Sequence, residues 1–392
     1  MDPADFGTDA AGHLVPIKGY DDSLGRNYEH FAFVPDPLPS EPRLRMATYK
    51  RVAEASLALG RLDSAAEKLP NPQLLVRPAL HKEAQSTSAL EGTHATLFDV
   101  LEAEFLDKTR RSSQVSEVLN YVDAATQGLE LIQKRPITTT AIADLQGVLV
   151  KGTRGGSWDA GIIRRSPVYL AGAKAGMEHS RFVPVPEGPL LIEGMNAWEA
   201  WINAKDDVPL LVKAALGHYQ FETLHPFTDG NGRMGRLVVT LQLVDGKALR
   251  YPILNISTYF EPRKDRYKDL LLACSQSGQF DDWVQFFCDA VEAQANAEID
   301  RINALLDFRT QLLEELKTAN AKGVVLDIVD DLIAYPVITA SQAASMHQVT
   351  FPPANNAIQR LVDMGYLAEV TGRQYGRVFL CRRVMEIVDS VT

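Results

Sequence analysis

Between His225 and Arg236 the chain reads His-Pro-Phe-Thr-Asp-Gly-Asn-Gly-Arg-Met-Gly-Arg. This short stretch holds a titratable base, a hard metal ligand, a glycine-rich turn and two guanidiniums. His225 can take up a proton near neutral pH. Asp229 offers the carboxylate oxygens that Mg²⁺ accepts alongside water and phosphate. Gly230 and Gly232 lack Cβ, so the backbone can turn sharply and bring successive N–H groups against an anion. Arg233 and Arg236 lie three apart, on one face of any helix that starts here, and carry permanent charge suited to phosphate oxygens. The chemistry is the handling of a polyphosphate beside a general base. A surface loop with solvated arginines would account for a lone histidine or one glycine pair, but not for the whole set.

Helices must position these groups. Upstream, Val208, Leu211, Ala215, His218, Phe221 and Leu224 recur at helical spacing. Downstream, Leu237 to Val244 is an apolar run ending at Asp245-Gly246, which periodicity alone leaves open between buried helix and buried strand. The reading adopted is helix, loop, helix. Two neighbouring motifs fail. Gly230 to Arg236 has P-loop spacing, but Arg236 and Leu237 replace the Lys and Ser/Thr, and a helical pattern precedes it where a strand belongs. The Asp229-Gly-Asn-Gly start suggests a calcium loop, yet Thr240 stands where the bidentate Glu is needed.

The segment resembles the signature of Fic (filamentation induced by cAMP) domain proteins, H-x-F-x-D/E-G-N-G-R-x-x-R, at every fixed position. That resemblance implies transfer of AMP from ATP to a target hydroxyl. His225 would be the base and Phe227 the loop's core anchor. Asp229 would hold Mg²⁺, while Gly230, Asn231 and Gly232 would cradle the phosphates. Arg233 would neutralise the leaving pyrophosphate and Arg236 would bind the γ-phosphate. Met234 and Gly235 fall within the same nucleotide-binding segment. Residues 156–172, from Gly156-Ser157-Trp158 to Gly172, and Arg181 to Pro186 resemble the two sides of the family's flap, a β-hairpin able to align a target by strand addition. Its tip, Val168-Tyr169-Leu170, departs from the Asn-Trp-Ile of many members, and Val168 is taken as a nucleotide contact. Leu254 to Phe260 and Arg263 to Tyr267 also match the family. Tyr267 serves a nucleoside wall or core packing equally well, and Tyr259 suits the core.

A second segment, Gln85 to Gly92, places Thr87 and Glu91 four apart on one helical face, with Gly92 as a terminator. Spacing alone makes this an ordinary helix end. Beside a Fic signature it resembles the inhibitory motif S/T-x-x-x-E-G/N in the N-terminal arrangement of class II members. A carboxylate from Glu91 paired with Arg236 would occupy the arginine meant for the γ-phosphate.

Composition and order complete the expectation. The 392 residues are 46% hydrophobic with formal net charge −10. Cys274, Cys288 and Cys381 are scattered and read as reduced. No signal-peptide pattern or membrane-length apolar run is present, so the expected compartment is the cytoplasm. The fold class is mainly α: a Fic helical core with a β-hairpin flap, plus a C-terminal winged helix-turn-helix. Residues 1–112 form an N-terminal region. Within it, residues 1 to about 40 read as surface-wrapping extended chain, and 43–110 as helices interrupted at Pro70-Asn71-Pro72, with the inhibitory helix over about 78–92. Residues 113–300 form the catalytic domain, with Val115, Val118, Val122 and Ala125 marking one helix and Ile142, Leu145, Val148 and Leu149 another. Residues 301–321 form a linking helix within an amphipathic stretch from Val291 to Ala321, and 322–392 the winged-helix unit. In that unit Ile338 to Ala344 and Pro353 to Tyr366 read as helices, and Leu367 to Val370 with Arg377 to Leu380 as a hairpin.

ATP and Mg²⁺ are the implied substrate and cofactor, and the partner is a protein presenting a Ser, Thr or Tyr hydroxyl. The resemblance also implies a homodimer. Arg373, Arg377, Arg382 and Arg383 would give a basic wing for DNA, but the groove-entering helix carries only Arg360, opposed by Asp363. Charge therefore favours protein docking over nucleic acid. The rival enzyme readings keep His225 and change the reaction: removal of AMP with Glu91 orienting water, transfer of another phosphate-containing group, or plain ATP hydrolysis.

Overall fold

A computed structural model describes every residue except 22–23, 70, 104–110, 154–157, 173–175, 373 and 391–392. Gly156-Ser157, Pro70 and Arg373 of the sequence reading lie outside the described residues.

Residues 1 to about 40 do more than wrap the surface. Strands β1 (Gly12–Asp21) and β2 (Arg26–Pro35) pair antiparallel from Gly12↔Pro35 to Asp21↔Arg26. Leu14, Val15 and Ile17 face a partner rich in aromatics, and Ala32, Phe33 and Val34 are buried. β-Branched and aromatic residues suit such a half-buried pleat. The glycines and aspartates that gave this region its loop-like composition sit largely before and between the strands, with Gly25 at φ +63° in the turn.

Helix α1 (Met46–Ala66) lies along a later long helix, and a 3-10 turn at Pro72–Leu75 replaces the expected interruption. Next come α2 (Val76–Leu90), which holds Thr87, and α3 (Leu97–Glu102). Helices α4 (Ser113–Ile132) and α5 (Thr139–Leu149) follow, with Ser112 and Thr138 side chains accepting from Val115 and Ala141 N–H groups as N-caps. Helix α6 (Pro189–Ile202) opens on proline, which needs no N–H partner in the first turn.

Helices α7 (Leu210–Leu224) and α8 (Asn231–Asp245) pack side by side and flank the His225 loop. Both are buried nearly all round, which explains why the Leu237 to Val244 run lacked a polar face. Short α9 (Ile256–Phe260) and then α10 (Lys264–Ser277) follow. Next is α11 (Asp281–Thr318), which starts ten residues before the expected stretch and runs unbroken through the boundary placed at residue 300. Trp283, Phe286, Phe287 and Val291 extend its buried face into the helical core around α7, so the expected core and linker share one helix.

The C-terminal unit contains α12 (Val325–Ala334), β3 (Val337–Thr339), α13 (Ala340–Met346), α14 (Phe351–Asp363), β4 (Ala368–Glu369), β5 (Val378–Leu380) and α15 (Arg382–Asp389). Its sheet has the order β3-β5-β4, so the expected hairpin gains a third strand from before the helices. This unit grips helix α2. Arg77 of α2 donates to the Ala334 carbonyl at 2.5 Å, and Lys82 pairs with Asp389 at 2.7 Å. No helix among the described residues is long and apolar enough to cross a membrane.

Candidate active site

The loop between α7 and α8 is held by backbone-directed bonds. His225 caps α7 in the left-handed region, φ 50° and ψ 61°, where a non-glycine residue is uncommon and strained. Buried Arg164 offsets that strain: its Nε donates to the His225 carbonyl at 2.8 Å and its Nη2 to the Val185 carbonyl at 2.5 Å. Burial pushes the Arg164 guanidinium down to about 10. Phe227 is fully buried, with its ring 6.4 Å from Phe221, as the anchor role implied.

Asn231 also has a structural use for its side chain. Its Oδ1 accepts the Phe227 N–H at 2.8 Å and its Nδ2 donates to the Phe227 carbonyl at 2.7 Å. The side chain therefore clamps the loop, and only its backbone N–H remains for an anion. Asn231→Ala would orphan both buried groups, so we expect a stability loss of about 2–4 kcal/mol, measured as a lower Cm in urea. An unchanged Cm would show that the clamp is dispensable.

Gly230, at φ +81°, turns the chain into α8. The first intrahelical bond joins the Met234 N–H to the Gly230 carbonyl at 2.9 Å. The N–H groups of Asn231, Gly232 and Arg233 therefore precede the ladder and carry the positive end of the helix dipole. Met234 and Gly235 do not join this cradle. Met234 is buried in the core, because its place in the first turn points it inward. Gly235 leaves room for Glu222 and His218, whose atoms a Cβ would meet at 2.7 and 3.1 Å.

Arg236 is 1% exposed and held by the end of α2. Its Nε donates to Thr87 Oγ1 at 2.6 Å, and Nη2 donates to Glu91 Oε1 at 2.6 Å and the Thr87 carbonyl at 3.2 Å. Gly92 terminates α2 at φ +89°, with its N–H on the Ala89 carbonyl and that of Thr93 on the Ser88 carbonyl, both at 2.9 Å. Burial opposes a charge on Glu91, but the Arg236 guanidinium overrides it and holds the carboxyl below its ordinary range. A Cβ on Gly232 would overlap Glu91 Oε1, so the carboxylate lies against the anion cradle itself. Helix α2 is set at this height by buried Glu83, which accepts the Ser257 N–H at 3.1 Å and the Ser257 hydroxyl. Burial pushes the Glu83 carboxyl up to about 7.

A cavity of about 290 Å³ opens in front of these groups. His225, Gly232 and Arg236 form its floor, and Glu91 projects into it. Tyr169, Leu170, Arg181 and Phe182 form one wall, and Tyr267, Lys268, Leu271 and Leu272 the other. His225 Nδ1 faces the Glu222 carbonyl at 3.3 Å, leaving Nε2 for a reactant. Burial and the Arg164 charge push His225 down to about 4, so its imidazole is neutral at pH 7.

Val168 is not part of this cavity. It lines a separate one with Arg164, Val183 and Tyr28, because alternation in extended chain sends Tyr169 to the opposite side. Tyr267 is both wall and core: Phe260 stacks on its ring at 4.8 Å, and its hydroxyl meets His218 Nε2 at 2.7 Å. The expected flap hairpin is reduced, among the described residues, to one antiparallel bridge between Leu170 and Phe182. Its return side is backed by the N-terminal hairpin, through the Phe33 N–H on the Val183 carbonyl at 2.9 Å.

Asp229 carries a side chain 45% exposed, 3.0 Å from Arg233. Among the described residues no group of three His, Cys, Asp or Glu side chains could hold a metal. A single open carboxylate fits a cation such as Mg²⁺, which completes its shell from phosphate and water. Glu222 was missed by motif reading. It lines the cavity, its Oε1 lacks a hydrogen-bond partner among the described residues, and burial pushes it up to about 7. The available signal was a polar stripe on apolar α7: His218, Glu222 and His225 at helical spacing.

Residues 49–130 match the Fic/DOC family N-terminal region, and residues 136–243 match the Fic/DOC family. The chain is 32% identical over 136 residues to the protein adenylyltransferase Fic of Aedes aegypti, covering 34% of this chain and 24% of that one. It is 28% identical over 247 residues to its namesake in Drosophila grimshawi, covering 62% and 44%. The chain thus spans less than half the length of these curated relatives. The crystal structure of a Fic family protein from Desulfovibrio desulfuricans superposes with a TM-score of 0.57 at 20% identity, covering 88% of this chain and 98% of that one. That likeness concerns the fold.

Proposed function

For a chain that carries a Fic/DOC family domain behind a Fic/DOC N-terminal region, we propose protein AMPylation: transfer of AMP from ATP to a Ser, Thr or Tyr hydroxyl of a target protein or of the chain itself. The observation that carries this reading is one cavity holding a neutral, oriented histidine, a free helix N-terminus and an arginine contested by the chain's own carboxylate. His225 Nε2 takes the hydroxyl proton while the oxygen attacks the α-phosphorus and pyrophosphate leaves. The N–H groups at the start of α8 hold the phosphates in line, and Arg233 and Arg236 balance charge on the leaving group and the γ-phosphate. Mg²⁺ on Asp229 would add charge neutralisation when bound. Glu91 keeps this site inhibited by occupying Arg236. Intact-mass measurement of the Glu91→Gly variant with ATP, alone and with lysate, tests the reading. A gain of one AMP on protein supports it, and unmodified protein beside intact ATP would refute it.

A second reaction on the same site is removal of AMP, since the Glu91 carboxylate is ionised, 40% exposed and inside the cavity, where it could orient water. Release of free AMP from a modified target by the wild-type chain, lost in Glu91→Gly, would identify it.

We assign residues 322–392 as a winged helix-turn-helix unit that docks protein, and we place the enzyme in the cytoplasm as a homodimer. The arginine on α14 supports docking over DNA binding: Arg360 donates to the Ala319 carbonyl at 2.6 Å, and nearby Arg377 reaches Asn355 at 3.2 Å. Phosphate contacts supply most non-specific affinity. We therefore expect the full chain, net −10, to give no salt-dependent mobility shift with a DNA duplex. A shift that weakens with salt would overturn this assignment.

A further inference from the structure

Arg233 is 4% exposed, yet its Nε and Nη1 have no hydrogen-bond partner among the described residues. Among the described residues only Nη2 makes a hydrogen bond, to Asp229 Oδ2 at 3.0 Å. A buried guanidinium with two idle donors is costly, so what stands beside them matters. Glu117 of α4 faces Nη1 through Oε2 at 3.5 Å, with its side chain 12% exposed. That same oxygen accepts the Thr93 hydroxyl at 2.7 Å. Thr93 is the second residue past Glu91, and its N–H closes the end of α2 on the Ser88 carbonyl. The tip of the inhibitory helix therefore touches both arginines of α8: Arg236 directly through Glu91, and Arg233 through Thr93 and Glu117.

We propose that Thr93 and Glu117 form a second latch of the gate, which holds the end of α2 down and ties it to Arg233. The regulatory meaning of the latch rests on the AMP-transfer reading, whereas the latch itself does not. Its physics is a hydrogen bond to a carboxylate that also balances a buried cation. Such charge-assisted bonds are stronger than neutral ones. Glu91 cannot withdraw with the helix end unless the Thr93 hydroxyl also leaves Glu117. Once it leaves, Oε2 is free to close on Arg233 Nη1 and orient that guanidinium toward the cradle. Release of Glu91 and alignment of Arg233 become one event, although the two arginines have different carboxylate partners. Glu117 is thus a positioning residue, acting through Arg233.

Two readouts test this on the full chain. In amide hydrogen exchange, Thr93→Val should speed exchange of the N–H groups of Glu91, Gly92 and Thr93 by about tenfold, as expected for one lost charge-assisted bond. Thr93→Ser, which keeps the hydroxyl, should restore the wild-type rate. In AMP transfer, Thr93→Val should raise the basal rate by about the same factor in the wild-type background and by less in the Glu91→Gly background, where only the closure of Glu117 on Arg233 is left to gain. In the doubly released Glu91→Gly, Thr93→Val background Glu117→Gln should lower kcat and leave KM for ATP unchanged, as loss of a transition-state interaction requires. Unchanged exchange in Thr93→Val would overturn the latch whatever the chemistry. Equal rate gains in both backgrounds, or an unchanged kcat in the Glu117→Gln variant, would overturn its coupling to Arg233. Faster exchange with no transfer from any variant, Glu91→Gly included, would leave the latch standing and remove the AMP-transfer reading.

Discussion

Replacing Glu91 by glycine should raise AMP transfer by about a hundredfold, the scale expected when a reacting group misplaced by about 1 Å is realigned. The structure favours a clean gain. Thr87 Oγ1 and its carbonyl still hold Arg236 Nε and Nη2 after the carboxylate is gone, so the guanidinium keeps its place and loses only its competitor. Gly92 and Thr93 preserve the helix end. The substitution also leaves Arg236, 1% exposed, without its counter-ion. Removing one partner of a fully buried pair costs several kcal/mol. Here Glu91 is 40% exposed, and solvent screening reduces the loss to about 1–2 kcal/mol. The variant should therefore be more active, slightly less stable, and restabilised by ATP, whose phosphates replace the lost charge. Labelled ATP with protein gels, beside thermal unfolding with and without nucleotide, reads all three. Unchanged labelling in Glu91→Gly would remove Glu91 as the inhibitor.

The local chemistry was legible because it is written in contiguous residues. Gly230, Gly232, Arg233 and Arg236 lie at the start of a helix, where spacing in sequence becomes spacing in space. Thr87, Glu91 and Gly92 were legible for the same reason, although their meeting with Arg236 required the family resemblance rather than the spacing. What could not be read depends on contacts between distant segments. Arg164 holds the His225 carbonyl from 61 positions away, and nothing around it marks it as other than a flap residue. Val168 and Tyr169 exchange places because the orientation of a short extended segment is set by the β1–β2 hairpin packed behind it, through Phe33 and Val183. That hairpin was read only as extended chain wrapping the surface, because glycine, aspartate and proline there left few apolar clusters to mark paired strands. Asn231 keeps its backbone N–H for the cradle, but the use of its carboxamide by Phe227 is a contact that spacing does not show. Helix α11 crosses the expected boundary at residue 300 because its buried face continues, and composition registers no change there.

Replacing His225 by alanine should lower kcat by about a thousandfold or more, within the range of general-base removal, while nucleotide binding should survive on α8 and Arg236. Two features make the prediction specific. The residue sits at φ 50°, where alanine itself is strained, so His225→Ala alone confounds chemistry with loop geometry. Asparagine tolerates that conformation and cannot accept a proton at neutral pH. His225→Asn should be equally inactive and should bind ATP like wild type. Substantial activity in His225→Asn would mean that the loop, not the imidazole, carries the rate. The second feature is pH. Burial and the Arg164 charge lower the folded His225 pKa to about 4 from the ordinary 6.5. Between those values the unfolded chain binds the extra proton, so stability rises with pH across this window and is lost as pH falls through it. Removing the imidazole in His225→Asn should therefore flatten the acid loss of stability between about pH 6.5 and 4. His218, lowered by burial to about 3, contributes in the same direction and remains in the variant. In the nucleotide complex the phosphate charges favour the imidazolium, so the acid limb of kcat should lie above pH 4 and the base should stay competent at neutrality. A rate independent of pH from 4 to 7 in Glu91→Gly would exclude His225 as the group that takes the proton.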